Sequence, residues 1–137
     1  MRLIDTNVFI YAVGRPHPYK PACLRVLDAL ESGLLEANID AELLQEILYV
    51  YWSTKRLGQG VALFDRVEQI FPDLIPIAAM DTRVARELLA RHPTIAPRDA
   101  IHAAVALNHG LDGVISTDGG FDTIPGITRI DPMEFLI

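Results

Sequence analysis

Asp5 ends the apolar opening R-L-I and enters the tripeptide D-T-N. Asp118 follows the run V-I-S-T and precedes Gly119 and Gly120. Asp99 falls in the first turn of a helix opened by Pro97, and Glu46 is set among Leu43, Leu44, Ile47 and Leu48. A charge held against apolar neighbours needs a partner. Taken singly, most of these acids have ordinary readings: a helix-dipole acid for Asp99, a turn residue for Asp118, a solvated helix face for Glu46. Asp5 is harder to dismiss, because a strand end entering D-T-N is an unusual place for an unpaired charge, and one shared explanation covers all four: a divalent-metal site. Carboxylates grouped without lysine or cysteine suit hard cations such as Mg²⁺ or Mn²⁺. Without metal, their like charges raise one another's pKa values. Such centres commonly serve phosphoryl chemistry, orienting water and stabilising charge on the attacking and leaving oxygens.

The charge balance agrees. The net charge is −6, from 18 acids and 12 bases, which argues against a generic basic DNA-coating protein. Of the 18 acids, setting aside Asp5, Glu46, Asp99, Asp118 and Asp122 leaves 13 against the 12 bases. Much of the acidity therefore belongs to the site. Residues 6–27 contain no acid but hold Arg15, His17, Lys20 and Arg25. That segment starts directly after Asp5 and is either a border that meets phosphates or an ordinary polar loop. Arginines make up 10 of the 12 bases, and their planar fork suits bidentate phosphate contact.

His102 lies three residues after Asp99 and shares its helix face. Its expected role is structural or supporting, with a general base as the alternative. His17, His92 and His109 have no metal-ligand spacing among themselves. Cys23, the only cysteine, excludes a disulfide framework and a cysteine-based zinc site, and reads as a small core residue.

Short apolar runs alternating with helical stretches position these acids. Strands are expected at 2–5, 35–39, 74–77, 113–117 and 127–130. Helices are expected at 22–32, from Asp40 to about Lys55, at 60–71, from a cap at Asp81 to Pro93, and from Pro97 to Gly110. The segment R-P-H-P-Y-K-P reads as a loop. This alternation predicts an α/β fold with parallel strands joined by right-handed crossovers. Sites in such sheets collect beyond the C-terminal strand ends, where Asp5 and Asp118 fall. With 137 residues, 50% hydrophobic and 22% charged, one domain over 1–137 is expected. No apolar run reaches the ~18 residues of a membrane span, and a cytoplasmic protein is the default.

In these segments the chain resembles the PIN-domain family, and within it the small VapC-type toxin ribonucleases. M-R-L-I-D-T-N-V-F-I-Y-A is similar to the family's first strand and acid, and L-L-Q-E-I-L-Y-V-Y to its second-acid helix. P-R-D-A-I-H-A-A-V-A-L resembles the third-acid helix, and V-I-S-T-D-G-G-F-D-T-I-P-G-I the closing strand and fourth acid. The resemblance implies a three-layer α/β/α sandwich around a central, mainly parallel sheet. It implies an Mg²⁺- or Mn²⁺-dependent endoribonuclease, with Asp5, Glu46, Asp99 and Asp118 as catalytic and metal-binding acids. Asp122 assists as a further ligand or indirectly. Thr6, Asn7 and Thr117 orient carboxylates or water, and Arg15, Lys20 and Arg25 become RNA contacts. A small antitoxin that covers the active site and a homodimer are implied partners. Tyr49, Tyr51, Trp52, Leu57 and Phe64 give the 40–71 region the apolar surface for self-association. Gly119 and Gly120 depart from the family's usual charged residue and imply a more flexible Asp118 loop.

Three other classes compete. A response-regulator-like receiver needs a late lysine, but the only lysines are Lys20 and Lys55. A phosphatase with an aspartate nucleophile needs D-x-D after the first strand, where this chain has D-T-N. A PIN domain that acts as a solitary RNA-processing nuclease, or binds without cleaving, is the third.

Overall fold

Leu3 and Ile4 are successive strand residues and must face opposite sides of a sheet. In the computed structural model, which describes residues 1–135, they do, and each side is covered by helices. Four short strands form the sheet: β1 (Arg2–Ile4), β2 (Ala37–Asn38), β3 (Val114–Ile115) and β4 (Arg129–Ile130). Their order is β2–β1–β3–β4, and every neighbouring pair is parallel. Ile4 and Ile115 join one core with apolar residues of α1 (Thr6–Val13), α2 (Lys20–Glu31), α3 (Ala41–Ser53) and α4 (Leu57–Ile70). Leu3 and Val114 join the other core with residues of α5 (Ala79–Arg91) and α6 (Pro97–Asn108). The result is the expected α/β/α sandwich with a parallel sheet.

Because the strands are parallel, their C-terminal ends share one edge of the sheet. Asp5 follows β1 there, Asp40 lies two residues beyond β2, Asp118 three beyond β3, and Asp131 follows β4. Each of these acids N-caps the next helical turn. Asp5 accepts from Thr6 N, Asp40 from Leu43 N, Asp118 from Gly120 N and Asp131 from Met133 N. A helix N-terminus favours negative charge, so the topology itself gathers acids along this edge.

Several elements differ from expectation. Residues 74–77 form no strand of the sheet. One parallel bridge links Ile75 to Asp40, and Pro76, which lacks an N–H, stops the ladder. The strands expected at 35–39, 113–117 and 127–130 shorten to two residues each. Helix α1 occupies a stretch for which no helix was expected. Asp81 is not an N-cap: it sits in the first turn of α5 and accepts from Ala78 N and Asn108 Nδ2. Helix α2 starts at Lys20, with Pro21 in its first turn, so the proline-rich loop is shorter than expected. Helix α3 ends at Ser53, before Lys55, whose φ is 58°. Gly33 ends α2 as expected: at φ 77° it places Leu34 N on Ala29 O, a Schellman cap. Cys23 is buried in the core, and burial pushes its thiol up to about 12.

Tyr51 is buried, whereas Tyr49, Trp52, Leu57 and Val61 are exposed on the α3–α4 face. These two helices pack tightly at Gly60, where an added Cβ would sit 2.6 Å from Tyr51 Cβ. Gly60→Ala is therefore expected to destabilise the protein by about 1–3 kcal/mol through overpacking. At Gly58 a Cβ meets open space, and Gly58→Ala should stabilise by up to about 1 kcal/mol through helix propensity. Urea denaturation of the two variants checks both signs.

Candidate metal centre

The centre is built around Asp5, which is 2% exposed. Its Oδ1 accepts from Thr6 N at 2.8 Å, and its Oδ2 accepts from Ser116 Oγ at 2.7 Å and Asn7 Nδ2 at 3.2 Å. Ser116 Oγ in turn accepts from Asp118 N at 2.9 Å. Asn7 Oδ1 accepts from Thr117 N at 3.4 Å. These bonds lock the end of β1 to the segment after β3 and fix the direction of the Asp5 carboxylate.

Helix α3 brings Glu46 to the same place. Its Oε1 lies 3.5 Å from His102 Nε2 and its Oε2 lies 3.4 Å from Arg98 Nε. Helix α6 supplies Arg98, Asp99 and His102. His102 is completely buried: its Nε2 lies 3.5 Å from Asp5 Oδ1, and its Nδ1 lies 2.7 Å from Asp40 Oδ2. One donor atom each from Asp5, Glu46 and His102 lie within 4.8 Å of one another, close enough to share one ion. Asp99 lies close enough to the Asp5 and Asp118 carboxylates for both to act on its charge. The donor set thus fits a divalent metal. Asp5, Glu46 and Asp99 are buried, and Asp118 is at the surface.

The sequence profile of the PIN domain matches residues 2–127. The chain belongs to the PIN-domain family. It is 38% identical over 130 residues to "Ribonuclease VapC13" of Mycobacterium tuberculosis, covering 95% of this chain and 99% of that protein. Its fold is similar to that of a chain in the crystal structure of FitAcB from Neisseria gonorrhoeae. The TM-score is 0.74 at 23% identity, with 98% of this chain and 100% of the other covered. A chain of a toxin–antitoxin complex from Klebsiella pneumoniae is similar at TM-score 0.67 and 21% identity, over 98% and 100% of the two chains.

This PIN domain brings Asp5 and Glu46 together with His102, and places Asp99 near Asp5 and Asp118. Asp122 does not join them. Its carboxylate is paired with Arg129, at 3.0 Å to Nε and 3.1 Å to Nη2. Asn7 supports Asp5 as expected, but Thr6 and Thr117 contribute backbone N–H groups. The hydroxyl that reaches Asp5 belongs to Ser116, which the sequence reading passed over. Gly119–Thr123 is a 3₁₀ turn capped by Asp118 and not a loose loop. A Cβ at Gly120 would crowd Asp118 Oδ1 at 3.1 Å. Arg15 and Arg25 are exposed and Lys20 donates to Gly14 O at 2.6 Å. None of the three has a contact with the acids. Sequence reasoning also missed Arg98 as Glu46's cation and Asp40 as the partner of His102. Asp40 was legible as a helix cap, and its second oxygen was not.

Burial pushes the Asp5 carboxyl up, countered in part by His102 and the Ser116 hydrogen bond. Burial alone would lower the pKa of His102, but Asp40, Glu46 and Asp5 outweigh it and hold the imidazole well above its ordinary range. Burial first, and then the Asp5 and Asp118 carboxylates, push Asp99 up to about 7. Against an unfolded value of 3.8, the folded chain binds the proton more tightly. That contribution to stability is complete below about pH 4 and lost as pH rises through 7. In chelator, wild type should therefore lose melting temperature relative to Asp99→Asn between pH 4 and 8. Mg²⁺ or Mn²⁺ competes with that proton, so the metal-induced rise should be larger at pH 8 than at pH 6 and reduced in Asp99→Asn. One thermal-melt series at constant ionic strength reads both effects. Equal metal gains for the two proteins would contradict a shared site.

Proposed function

We infer that this PIN domain is a divalent-metal-dependent endoribonuclease, using Mg²⁺ or Mn²⁺, and the toxin of a type II toxin–antitoxin pair. The observation that carries the reading is the convergence of Asp5, Glu46 and Asp99, buried, with Asp118 at the rim, in a chain 38% identical to a VapC ribonuclease. The reaction is hydrolysis of an RNA phosphodiester by in-line attack of water. It breaks the bond from phosphorus to the 3′ oxygen, leaving a 5′ phosphate and a 3′ hydroxyl.

The metal, when bound, lowers the pKa of a coordinated water and neutralises charge on the phosphate oxygens. Asp5 is the fixed ligand, because Ser116, Asn7 and the Thr6 N–H hold its carboxylate. Glu46 is held at its outer oxygen by Arg98, which leaves the inner oxygen for the centre. Asp99 lies beside Asp118, which is exposed, and the two complete the acid set. The substrate approaches this C-terminal edge of the sheet. Arg15, Lys20 and Arg25, which form no ion pair with the acids, are kept only as contacts for RNA outside the cleavage point.

Asp5→Asn, Glu46→Gln, Asp99→Asn and Asp118→Asn each keep size while removing a charge. Each should cut metal-dependent RNA cleavage by at least about a hundredfold, the scale of a lost metal or transition-state contact, and relieve growth arrest on expression. Full cleavage by any two of them under limiting Mg²⁺ would refute the assignment.

A small antitoxin and a second copy of the chain are the proposed protein partners. For self-association the exposed groove of Gln45, Leu48, Tyr49, Trp52 and Leu57 is the proposed surface. A central tryptophan is often an interface hot spot worth about 2 kcal/mol or more. Light scattering at tens of micromolar, a rough scale for weak association, should show a dimer for wild type and a monomer for Trp52→Ala. A monomeric wild type would remove this surface from the reading.

A further inference from the structure

We propose that His102 is itself a metal ligand through Nε2, oriented by Asp40, and that the resulting nitrogen–oxygen donor set favours Mn²⁺ over Mg²⁺. The proposal rests on the reading that this centre binds a divalent metal, and adds a ligand the four acids do not include.

The argument begins at the far side of the imidazole. Asp40 is fully buried, and its Oδ1 is fixed by the Leu43 N–H at 3.1 Å. Its Oδ2 lies 2.7 Å from His102 Nδ1. A carboxylate has only acceptors, so Nδ1 carries the hydrogen and donates. That assigns Nε2 to the inner side, where it faces Asp5 Oδ1 and Glu46 Oε1, both at 3.5 Å. These separations exceed the 2.7–3.2 Å of a good N–H···O bond. Nε2 facing two anionic oxygens has a cation among them in either state: its own proton without metal, and a metal ion once that proton is displaced. Neighbouring ligands about 2.1–2.2 Å from one ion stand roughly 3.0–3.6 Å apart in octahedral or tetrahedral arrangements; the two His102 separations fall in that range, and all three donor atoms lie within 4.8 Å of one another.

Each of the three donors is also held from behind. Asp40 holds His102 Nδ1, Arg98 meets Glu46 Oε2, and Ser116 and Asn7 hold Asp5 Oδ2. Metal-binding histidines are typically oriented in this way, with the second ring nitrogen donating to a carboxylate. An oxygen-only set suits Mg²⁺, whereas imidazole shifts preference toward first-row transition ions. Mn²⁺ is the ion that accepts this nitrogen while remaining at home among carboxylates.

Pulsed electron paramagnetic resonance of the Mn²⁺-loaded protein tests the bond directly. Wild type should show coupling to a coordinated nitrogen, and ¹⁵N-histidine labelling should change it to the ¹⁵N pattern. His102→Asn should abolish the coupling and lower the Mn²⁺-over-Mg²⁺ affinity ratio at least tenfold in direct metal titrations. Asp40→Asn, which retains a helix cap, should weaken Mn²⁺ binding about 10–100-fold. The labelled wild-type spectrum decides the matter even if His102→Asn does not fold. Bound Mn²⁺ with no nitrogen coupling would overturn this proposal alone and leave His102 as a buried cation between acids. No binding of either ion would overturn the metal-dependent reading along with it.

Discussion

Asp5, Asp40, Glu46 and Asp99 are all buried in one region, and the fold must hold these carboxylates together against their mutual repulsion. No apolar core can do that. The chain meets the constraint by placing Asp5, Asp40 and Glu46 against matched donors, while Asp99, pressed by burial and other carboxylates, is pushed up to about 7. Asp5 and Asp40 cap helices, Asp99 sits in the first turn of α6, and the N–H groups there are oriented and positive. Ser116 and Asn7 add hydrogen bonds to Asp5. His102 lies fully buried between α3 and the sheet edge, touching three of the acids. The apolar layers on either side of the sheet supply the stability against which this polar cluster is maintained.

The four main acids were legible because their neighbours were local: an apolar strand before Asp5, leucines and isoleucine around Glu46, Pro97 before Asp99. The alternation of strands and helices was legible for the same reason. What escaped depends on contacts between distant parts of the chain. Ser116 reaches Asp5 across 111 residues and His102 reaches Asp40 across 62, and no local spacing shows such a meeting. Thr117 came from the family resemblance, whereas the hydroxyl that reaches Asp5 is that of Ser116. Asp122 was grouped with the acids by proximity in sequence, but Arg129 claims it in space. Helix α1 was missed because Asp5 was read only as a strand end, when the same side chain also starts the helix.

Helix α3 joins two aspects of the protein. Its inward face carries Glu46, while its outward face carries Tyr49 and Trp52. Gly60 lets α4 lie close against it, so the helix is held between the core and its neighbour. A partner seated on the outer face therefore touches the rigid element that carries one of the site's acids. Binding there and metal chemistry at the edge share a support without sharing residues.

The pairing of β1 with β3 has a consequence for how the protein comes into being. Leu3 pairs with Val114, Ile4 with Ile115, and the Asp5 N–H donates to Ile115 O. During synthesis Asp5 emerges first, yet its strand partner and the Ser116 hydroxyl are made more than a hundred residues later. Closing so long a loop belongs to the slow, non-local part of folding. An incomplete chain still on the ribosome has the first acid but not the frame that aims it. Chain order alone thus delays the centre: the Asp5 carboxylate gains its fixed direction only once the segment after β3 has been made.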